Sequence, residues 1–148
     1  MFELYKGKKR FTDGNRVELL ENGETFFPQL LRRINRAEKE IFIETFILEE
    51  DRVGKALQKA LVAAAKRGVW ISVTTDSYGT FYLDADYIKT LTEAGVIFQI
   101  FDPQPSWLKS RPNLFRRLHR KLAVIDGRYA FIGGINLSHE HMTEHGPT

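Results

Sequence analysis

The sequence predicts one α/β sandwich with a mainly parallel sheet, an appended β-hairpin and helices on both faces of the sheet. Strand-like apolar segments alternate along the chain with segments whose apolar residues have helical spacing, an order typical of parallel α/β units. Residues 40–48 are almost continuously apolar, which is typical of a strand covered on both faces. Two short apolar segments flank Asp126-Gly127, which is a strong hairpin signal.

Local signals bound each element. Pro28 is compatible with the first turn of the first helix, Asp51 is a typical N-cap of the second, and Gly68 is a typical helix stop. The predicted strands are residues 16–20, 40–48, 69–75, 96–101, 120–125 and 129–133, and the predicted helices are residues 24–37, 52–67 and 83–94. Residues 102–118 hold three of the five prolines and are predicted to form a long loop, a feature that is usually functional.

Composition excludes several classes of protein. The 148 residues are 43% hydrophobic and 28% charged, so the chain is too apolar for disorder at a net charge of +3. The absence of Cys excludes disulfide scaffolds, thiol catalysis, Cys-type zinc sites and iron–sulfur clusters. No apolar run approaches the roughly 20 residues of a membrane-spanning helix, and the N-terminus lacks the apolar region of a signal peptide. We therefore expect a soluble or peripheral protein.

Basic charge is concentrated in two places. Lys and Arg exceed Asp and Glu in residues 1–16 and in residues 102–128, whereas the rest of the chain is net acidic. Such clusters indicate a surface for phosphate, nucleic acid or acidic lipid, although solvated surface charge is the simpler alternative. We divide the chain into a basic N-terminal segment, residues 1–14, and one domain, residues 15–148.

Strand alternation predicts that His119 and Lys121 project from the same face of one strand. An ammonium is a compact positive charge, and an imidazole can act as a nucleophile or as a general acid and base. Together they favour a site for an anionic phosphate. Taken alone, however, a His-x-Lys pair is more often a solvated part of a surface hairpin.

Three further positions extend this candidate site. Gly133 and Gly134 end the second hairpin strand and would allow a ligand to approach the backbone. Asn136 has an amide that can donate to a phosphoryl oxygen. Asp126 has the opposite strand parity from His119, which favours a place in the turn over contact with a ligand.

The spacing His-x-Lys, four residues, Asp, six residues, Gly-Gly-x-Asn resembles the HKD motif of the phospholipase D superfamily. Longer segments resemble the N-terminal half of bacterial cardiolipin synthases, most closely the B type, over residues 15–148. They include LLENGETFFPQLL, IFIETFILEEDRVGKAL, LVAAAKRGV, FDPQP and NLFRRLHRKLAVIDGRYAFIGGINLSHEHM.

This resemblance implies phosphodiester chemistry through a phosphohistidine, with no metal and no cofactor. By the same resemblance, His119 attacks phosphorus or protonates the leaving alcohol, and Lys121 and Asn136 hold the non-bridging oxygens. Asp126 belongs to the motif, but its parity favours a role in orienting the hairpin. Gly134 stands where many relatives have Ser, so one hydroxyl donor is missing here.

Members of the superfamily need two such motifs facing each other, and this sequence has one. His139, His141 and His145 lack the following Lys, Asp and Gly-Gly at the required intervals. We therefore expect an N-terminal half whose domain is incomplete at its C-terminus, with the second HKD domain absent, and we expect this chain alone to be inactive.

The expected function is phosphatidyl transfer that makes cardiolipin from phosphatidylglycerol. The expected partners are anionic phospholipids, the missing C-terminal half or a second chain, and the cytoplasmic side of a bacterial cell membrane, to which the protein would bind peripherally. Two alternatives stay open: a single-motif nuclease acting as a dimer, and a non-catalytic module that binds anionic lipid or nucleic acid.

Several residues outside the motif are weaker candidates. Glu44 lies in an apolar strand and should pair with a cation, either Lys121 or an Arg of the basic loop. This pair could belong to the site or could be purely structural. Arg117 and Arg120 are candidate supporting residues. Asp76 ends a strand at the edge where α/β sheets bind ligands, but it is equally a common turn residue.

The last two candidates are segments. Residues 138–145 contain three His residues that resemble a metal cluster, although a solvated helix start capped by Ser138 is the favoured interpretation. Residues 107–117 interleave aromatic and basic side chains, which suits an anionic bilayer, a nucleic-acid backbone or a lid packed on the missing half.

Overall fold

A computed structural model describes residues 13–80, 82–103 and 117–142 of the chain. The strands are β1 (Glu40–Thr45), β2 (Trp70–Asp76), β3 (Ile97–Phe101), β4 (Leu122–Ile125) and β5 (Tyr129–Ile132). The helices are α1 (Asn22–Asn35), α2 (Arg52–Lys66) and α3 (Ala85–Glu93), followed by a short 3-10 helix (His139–His141). Most of the predicted loop at 102–118, most of the basic segment at 1–14, and His145 lie outside the described residues.

The five strands form one sheet in the order β3-β2-β1-β4-β5. β1 and β3 both pair parallel with β2, whereas β4 runs antiparallel to β1 and forms a hairpin with β5. The predicted mainly parallel sheet with an appended hairpin is therefore confirmed. β1 is the strand at which the sheet changes direction.

The core lies between one face of the sheet and the three helices. Ile41 and Ile43 of β1 are buried with Leu30 of α1, Leu57 of α2 and Leu91 of α3. Burying a side chain of this size is worth about 1.5–3 kcal/mol, so this layer supplies most of the fold's stability.

The opposite face of the sheet is uncovered by the described residues. Phe42 of β1 and Trp70 of β2 lie on it and are 40% and 46% exposed. The prediction of helices on both faces is therefore wrong for the described part of the chain, as is the prediction that residues 40–48 are covered on both faces. The near-continuous apolar run conceals an alternation in which Glu40, Phe42 and Glu44 share the uncovered face.

The predicted strand at residues 16–20 is also wrong. Val17 and Leu19 are 92% and 85% exposed, and no described strand pairs with this segment. An alternating pattern yields a strand only when a partner edge is available to satisfy its backbone groups. By contrast, the cap at Asp51 is confirmed, because its carboxylate accepts the N–H groups of Val53 at 2.7 Å and Gly54 at 2.9 Å.

None of the helices in the described ranges has the length and apolar character needed to cross a bilayer.

Candidate active site

The predicted motif begins at the edge of the sheet where the parallel strands end. β4 is antiparallel to β1, and Leu122 at its start pairs with Glu44 near the end of β1. His119 and Lys121 therefore lie beside the carboxyl ends of β1 and β2. Ligands of open α/β sheets bind outside this edge, so the reversal at β1 brings the motif to a place suited to binding.

The His119 and Lys121 side chains are in contact, as the predicted alternation requires. Lys121 Nζ lies 3.3 Å from His119 Nε2 and 3.5 Å from the His119 carbonyl oxygen. An ammonium has no acceptor, so the contact with Nε2 is a hydrogen bond only when that nitrogen carries its lone pair. Burial lowers the pKa of Lys121 from its ordinary value. The pair thus places an ammonium beside an imidazole nitrogen at an accessible edge.

Two aromatic rings support this pair, and neither was a candidate from the sequence. The Phe46 ring lies 5.1 Å from the His119 ring, and Lys121 Nζ lies 5.3 Å from the Phe46 centroid. The Tyr78 ring stacks on Phe46 at 6.3 Å. Phe46 directly follows β1 and Tyr78 lies two residues after β2, and these positions at the carboxyl ends of parallel strands were the available signal. Their aromatic character alone could not separate them from core residues.

A glycine permits this aromatic contact. A Cβ at Gly79 would lie 1.9 Å from the carbonyl oxygen of Phe46, so the turn after β2 can approach the end of β1 only with glycine at this position. Leu48 N–H donates to the Gly79 carbonyl at 3.4 Å across the same approach.

The glycine pair at the end of β5 lies next to the motif lysine. Gly133 N–H donates to the Lys121 carbonyl at 3.3 Å. A Cβ would meet open space at both Gly133 and Gly134, and neither has a positive φ. Packing and backbone conformation therefore do not require glycine here, which leaves room for a ligand above the hairpin.

Asn136 lies in a segment whose backbone is hydrogen-bonded to the residues that follow Phe46. Leu137 N–H donates to the Ile47 carbonyl at 3.1 Å, and the Leu137 carbonyl accepts from Glu49 N–H at 3.2 Å. Among the described residues, none donates to the buried Oδ1 atom of Asn136. The amide thus has an unused acceptor in a segment that is hydrogen-bonded to the chain after β1.

Asp126 lies in the hairpin turn, at the opposite end of β4 from His119. Its carboxylate accepts the backbone N–H groups of Glu38 at 3.1 Å, Lys39 at 2.8 Å and Glu40 at 3.0 Å. Burial raises its pKa, but these hydrogen bonds and the charge of Lys39 outweigh burial and lower the pKa below its ordinary value. The contacts fix the hairpin to the start of β1, as its strand parity suggests.

Glu44 pairs with Arg120 and not with Lys121. Arg120 Nη1 lies 2.9 Å from Glu44 Oε2, and the Arg120 side chain is 70% exposed. Alternation along the strand places Arg120 on the uncovered face of the sheet, opposite to His119 and Lys121. The structure therefore does not bring Glu44 or Arg120 to the His119–Lys121 pair, and an exposed ion pair of this kind adds little stability.

Asp76 is fully buried at the end of β2. Its carboxylate accepts Tyr78 N–H at 2.9 Å, as a turn residue would, and also Leu118 N–H at 2.8 Å. Arg117 Nη1 lies 3.5 Å from the same carboxylate. Asp76 therefore forms a turn, as one of its two predicted roles requires, and it also contacts the segment that enters the motif. Its predicted role in binding a ligand stays a prediction.

The predicted cap at Ser138 is wrong. Ser138 is buried and makes no side-chain cap hydrogen bond, and the helix that follows is a single 3-10 turn. His139 instead pairs with the cap residue of α2, with its Nδ1 2.6 Å from Asp51 Oδ2. No local signal predicts this contact, because the two residues are 88 positions apart in the chain.

Glu49, Asp51 and His139 bring three ligand-type atoms within 4.8 Å of one another. Burial raises the pKa of Asp51, but N–H groups from Gly54, His139 and Val53 outweigh burial and lower it. These donors already occupy the Asp51 oxygens, so the group is explained as a helix cap.

Comparison with known proteins decides the family. The sequence model described as "Cardiolipin synthase, PLD-like domain" matches residues 30–146. The chain belongs to this family. Cardiolipin synthase B of Shigella flexneri is 49% identical over 95% of the chain, and that of Salmonella typhi is 52% identical over 91%. Cardiolipin synthase A of Pseudomonas fluorescens is 37% identical over 90% of the chain.

These family members are much longer than the chain, which spans 34%, 33% and 28% of their respective lengths. Solved structures share the fold at lower identity. NucT from Helicobacter pylori has a TM-score of 0.59 at 18% identity, covering 77% of this chain and 68% of that one. Nuc from Salmonella typhimurium, a phospholipase D family member, has a TM-score of 0.54 at 22% identity, covering 79% and 68%. The α/β fold class and the resemblance predicted from the sequence are therefore confirmed.

Proposed function

We propose that this chain supplies one of the two HKD motifs of a phosphatidyltransferase that makes cardiolipin from phosphatidylglycerol. The observation that carries the proposal is the contact between His119 Nε2 and Lys121 Nζ at the carboxyl edge of the sheet. Identity of about half to cardiolipin synthase B proteins supports the same reaction.

The proposed reaction has two displacement steps at one phosphorus. The lone pair of His119 attacks the phosphodiester of one phosphatidylglycerol, forming a phosphorus–nitrogen bond while the bond to the glycerol oxygen breaks. A second histidine donates a proton to that oxygen, and glycerol leaves. The hydroxyl of a second phosphatidylglycerol then gives its proton to the second histidine and attacks phosphorus, which releases His119 and yields cardiolipin.

The neighbours of His119 suit the charge that develops in each step. The Lys121 ammonium lies beside the attacking nitrogen and would transfer its hydrogen bonds to the non-bridging oxygens of the bound diester. The Asn136 amide is a second donor. A preorganised donor of this type is typically worth about 2.7–4 kcal/mol in the transition state. Asp126 would act at a distance, by fixing the hairpin that holds the pair.

We place the second histidine outside this chain. The sequence has no second His-x-Lys, and His139 is bound to Asp51. The relatives extend well beyond the region that the chain matches, which leaves room for a second motif. The proposed partner is that second half, or a second chain.

The second proposed partner is an anionic membrane. Residues 107–117 have basic and aromatic side chains that suit the surface of such a membrane. Binding would be peripheral, at the cytoplasmic face of a bacterial membrane.

The protein encoded by the full reading frame tests this proposal. We expect it to convert phosphatidylglycerol vesicles into cardiolipin and glycerol, measured by mass spectrometry. His119→Ala should abolish conversion, whereas Arg120→Ala, an adjacent change on the opposite face, should retain it. With labelled substrate, an acid-labile label should remain on the wild-type protein and be absent from His119→Ala.

Other outcomes would redirect the assignment. Cleavage of DNA by a dimer, without lipid turnover, would replace this proposal with the nuclease alternative. Salt-dependent vesicle binding without any turnover would indicate a binding module. Full activity of His119→Ala would refute the role of the motif histidine.

A further inference from the structure

Asp76 is a buried carboxylate outside the HKD motif, and its partners lie directly before the motif histidine. It is 0% exposed, and its Oδ2 accepts the backbone N–H of Leu118 at 2.8 Å. Its Oδ1 lies 3.5 Å from Arg117 Nη1, in a side chain that is 14% exposed. Asp76 therefore holds the two residues that lead into His119.

These contacts leave the segment little freedom. A buried carboxylate is costly unless it is paired and hydrogen-bonded, and separating one partner from a buried pair is strongly destabilising. Tyr78 N–H, Leu118 N–H and the Arg117 guanidinium satisfy Asp76 together. Displacing residues 117–118 would leave this buried carboxylate without two of its donors. The backbone that leads into His119 is therefore fixed relative to the end of β2.

A second route connects the same pair to the His119 ring. The Arg117 guanidinium lies 5.0 Å from the Tyr78 ring centroid, and Tyr78 stacks on Phe46 at 6.3 Å. Phe46 in turn packs on His119 at 5.1 Å. The Asp76–Arg117 pair thus reaches His119 through the backbone on one side and through the two rings on the other.

We infer that Asp76, with Arg117, is a positioning residue that fixes the orientation of the His119 imidazole for attack on phosphorus. The kinetic consequence rests on the proposed function, whereas the orientation itself does not. Attack on phosphorus requires alignment of the nitrogen lone pair, and a misplacement of about 1 Å can cost on the order of 100-fold in rate. The Asp76 side chain touches neither the imidazole nor the substrate in this assignment.

The test compares Asp76→Asn with Glu44→Gln in the full-length protein. Both changes remove one carboxylate charge from an Arg-paired residue near a strand end, but Glu44 lies on the opposite face of the sheet. The first measurement is the NMR signal of 13C-labelled His119, assigned with His119→Ala. In Asp76→Asn we expect this signal to move, because the ring leaves the shielding region of Phe46, and in Glu44→Gln we expect it to stay.

The second measurement is the kinetics of phosphatidylglycerol conversion. We expect Asp76→Asn to lower kcat by about 10- to 100-fold with KM changed by less than about 2-fold, since binding groups are kept and alignment is lost. Glu44→Gln should match the wild type. Arg117→Lys, which keeps the cation and the Leu118 hydrogen bond, should show a smaller shift of the His119 signal, and it replaces Asp76→Asn if that variant fails to fold.

The outcomes separate this inference from the proposed function. A His119 signal that is unmoved in both Asp76→Asn and Arg117→Lys overturns the positioning role. A wild-type protein that makes no cardiolipin refutes the proposed function, while the NMR comparison still decides the orientation of His119. A displaced signal with wild-type kcat shows that orientation does not control the reaction, and this too overturns the inference.

Discussion

Replacing Asp126 with Ala should destabilise the protein, because this residue joins the hairpin turn to the start of β1. Asp126 has a left-handed φ of 54°, and its carboxylate accepts three backbone N–H groups from residues 38–40. Loss of a carboxylate that caps backbone N–H groups costs about 0.5–2 kcal/mol. A left-handed backbone adds about 1–2 kcal/mol for Ala. The expected loss of unfolding free energy is therefore about 1.5–4 kcal/mol.

Urea denaturation measures this loss, and Asp102 provides a matched control. Asp102 has a φ of 52°, so Asp102→Ala isolates the cost of the left-handed backbone. With a slope of about 2 kcal/mol per molar urea, a loss of about 3 kcal/mol moves the midpoint by about 1.5 M. Asp126→Asn should lose about 1 kcal/mol or less, because Asn tolerates the same φ and keeps one acceptor.

The pH dependence gives an independent check. The pKa of Asp126 is lowered in the folded protein, so its contribution is complete above the unfolded pKa of about 3.9 and disappears as pH falls through the lower folded value. The stability gap between wild type and Asp126→Ala should therefore be constant near neutral pH and narrow below about pH 4. Equal losses in Asp126→Ala and Asp102→Ala, or a gap that does not narrow in acid, would refute the hydrogen-bond explanation.

Two further predictions concern the site. Lys121→Met should abolish lipid conversion without lowering the melting temperature, because burial lowers the pKa of Lys121 and so disfavours its charge in the folded protein. A clear drop in melting temperature would contradict this. Gly134→Ser should change stability by less than about 0.5 kcal/mol, since its Cβ meets open space. Gly133→Ser is the control, because its Cβ also meets open space and its melting temperature should stay the same. A large drop in the melting temperature of either variant would show that the hairpin end needs glycine.

The part of the fold that follows from local patterns was predictable from the sequence. Helical spacing of apolar residues, the cap at Asp51 and the turn at Asp126-Gly127 each specify an element through neighbours in the chain. Residues 16–20 have a strand pattern without a strand, because pairing depends on a free edge elsewhere. Which face of β1 is buried was not predictable either, because the segments that cover a strand face are distant in the chain.

In the candidate site too, contacts between sequence neighbours were predictable and contacts between distant residues were not. The shared face of His119 and Lys121 follows from alternation over three residues, and the structure places the two side chains in contact. Asp76 and Leu118 are 42 positions apart, and Asp51 and His139 are 88 apart, so only the folded chain shows that they meet. The Phe46 contact depends on the antiparallel register of β1 and β4, which no local signal specifies.

The change of strand direction at β1 separates the motif side chains from the surfaces that would select a substrate. The motif residues come from one continuous hairpin, whereas the rim around them comes from the connections that follow β1 and β2. Insertions or substitutions in those connections can reshape the rim without altering the hairpin register. On the proposed function, one motif-bearing hairpin would therefore serve different alcohols and diesters as the surrounding connections diverge.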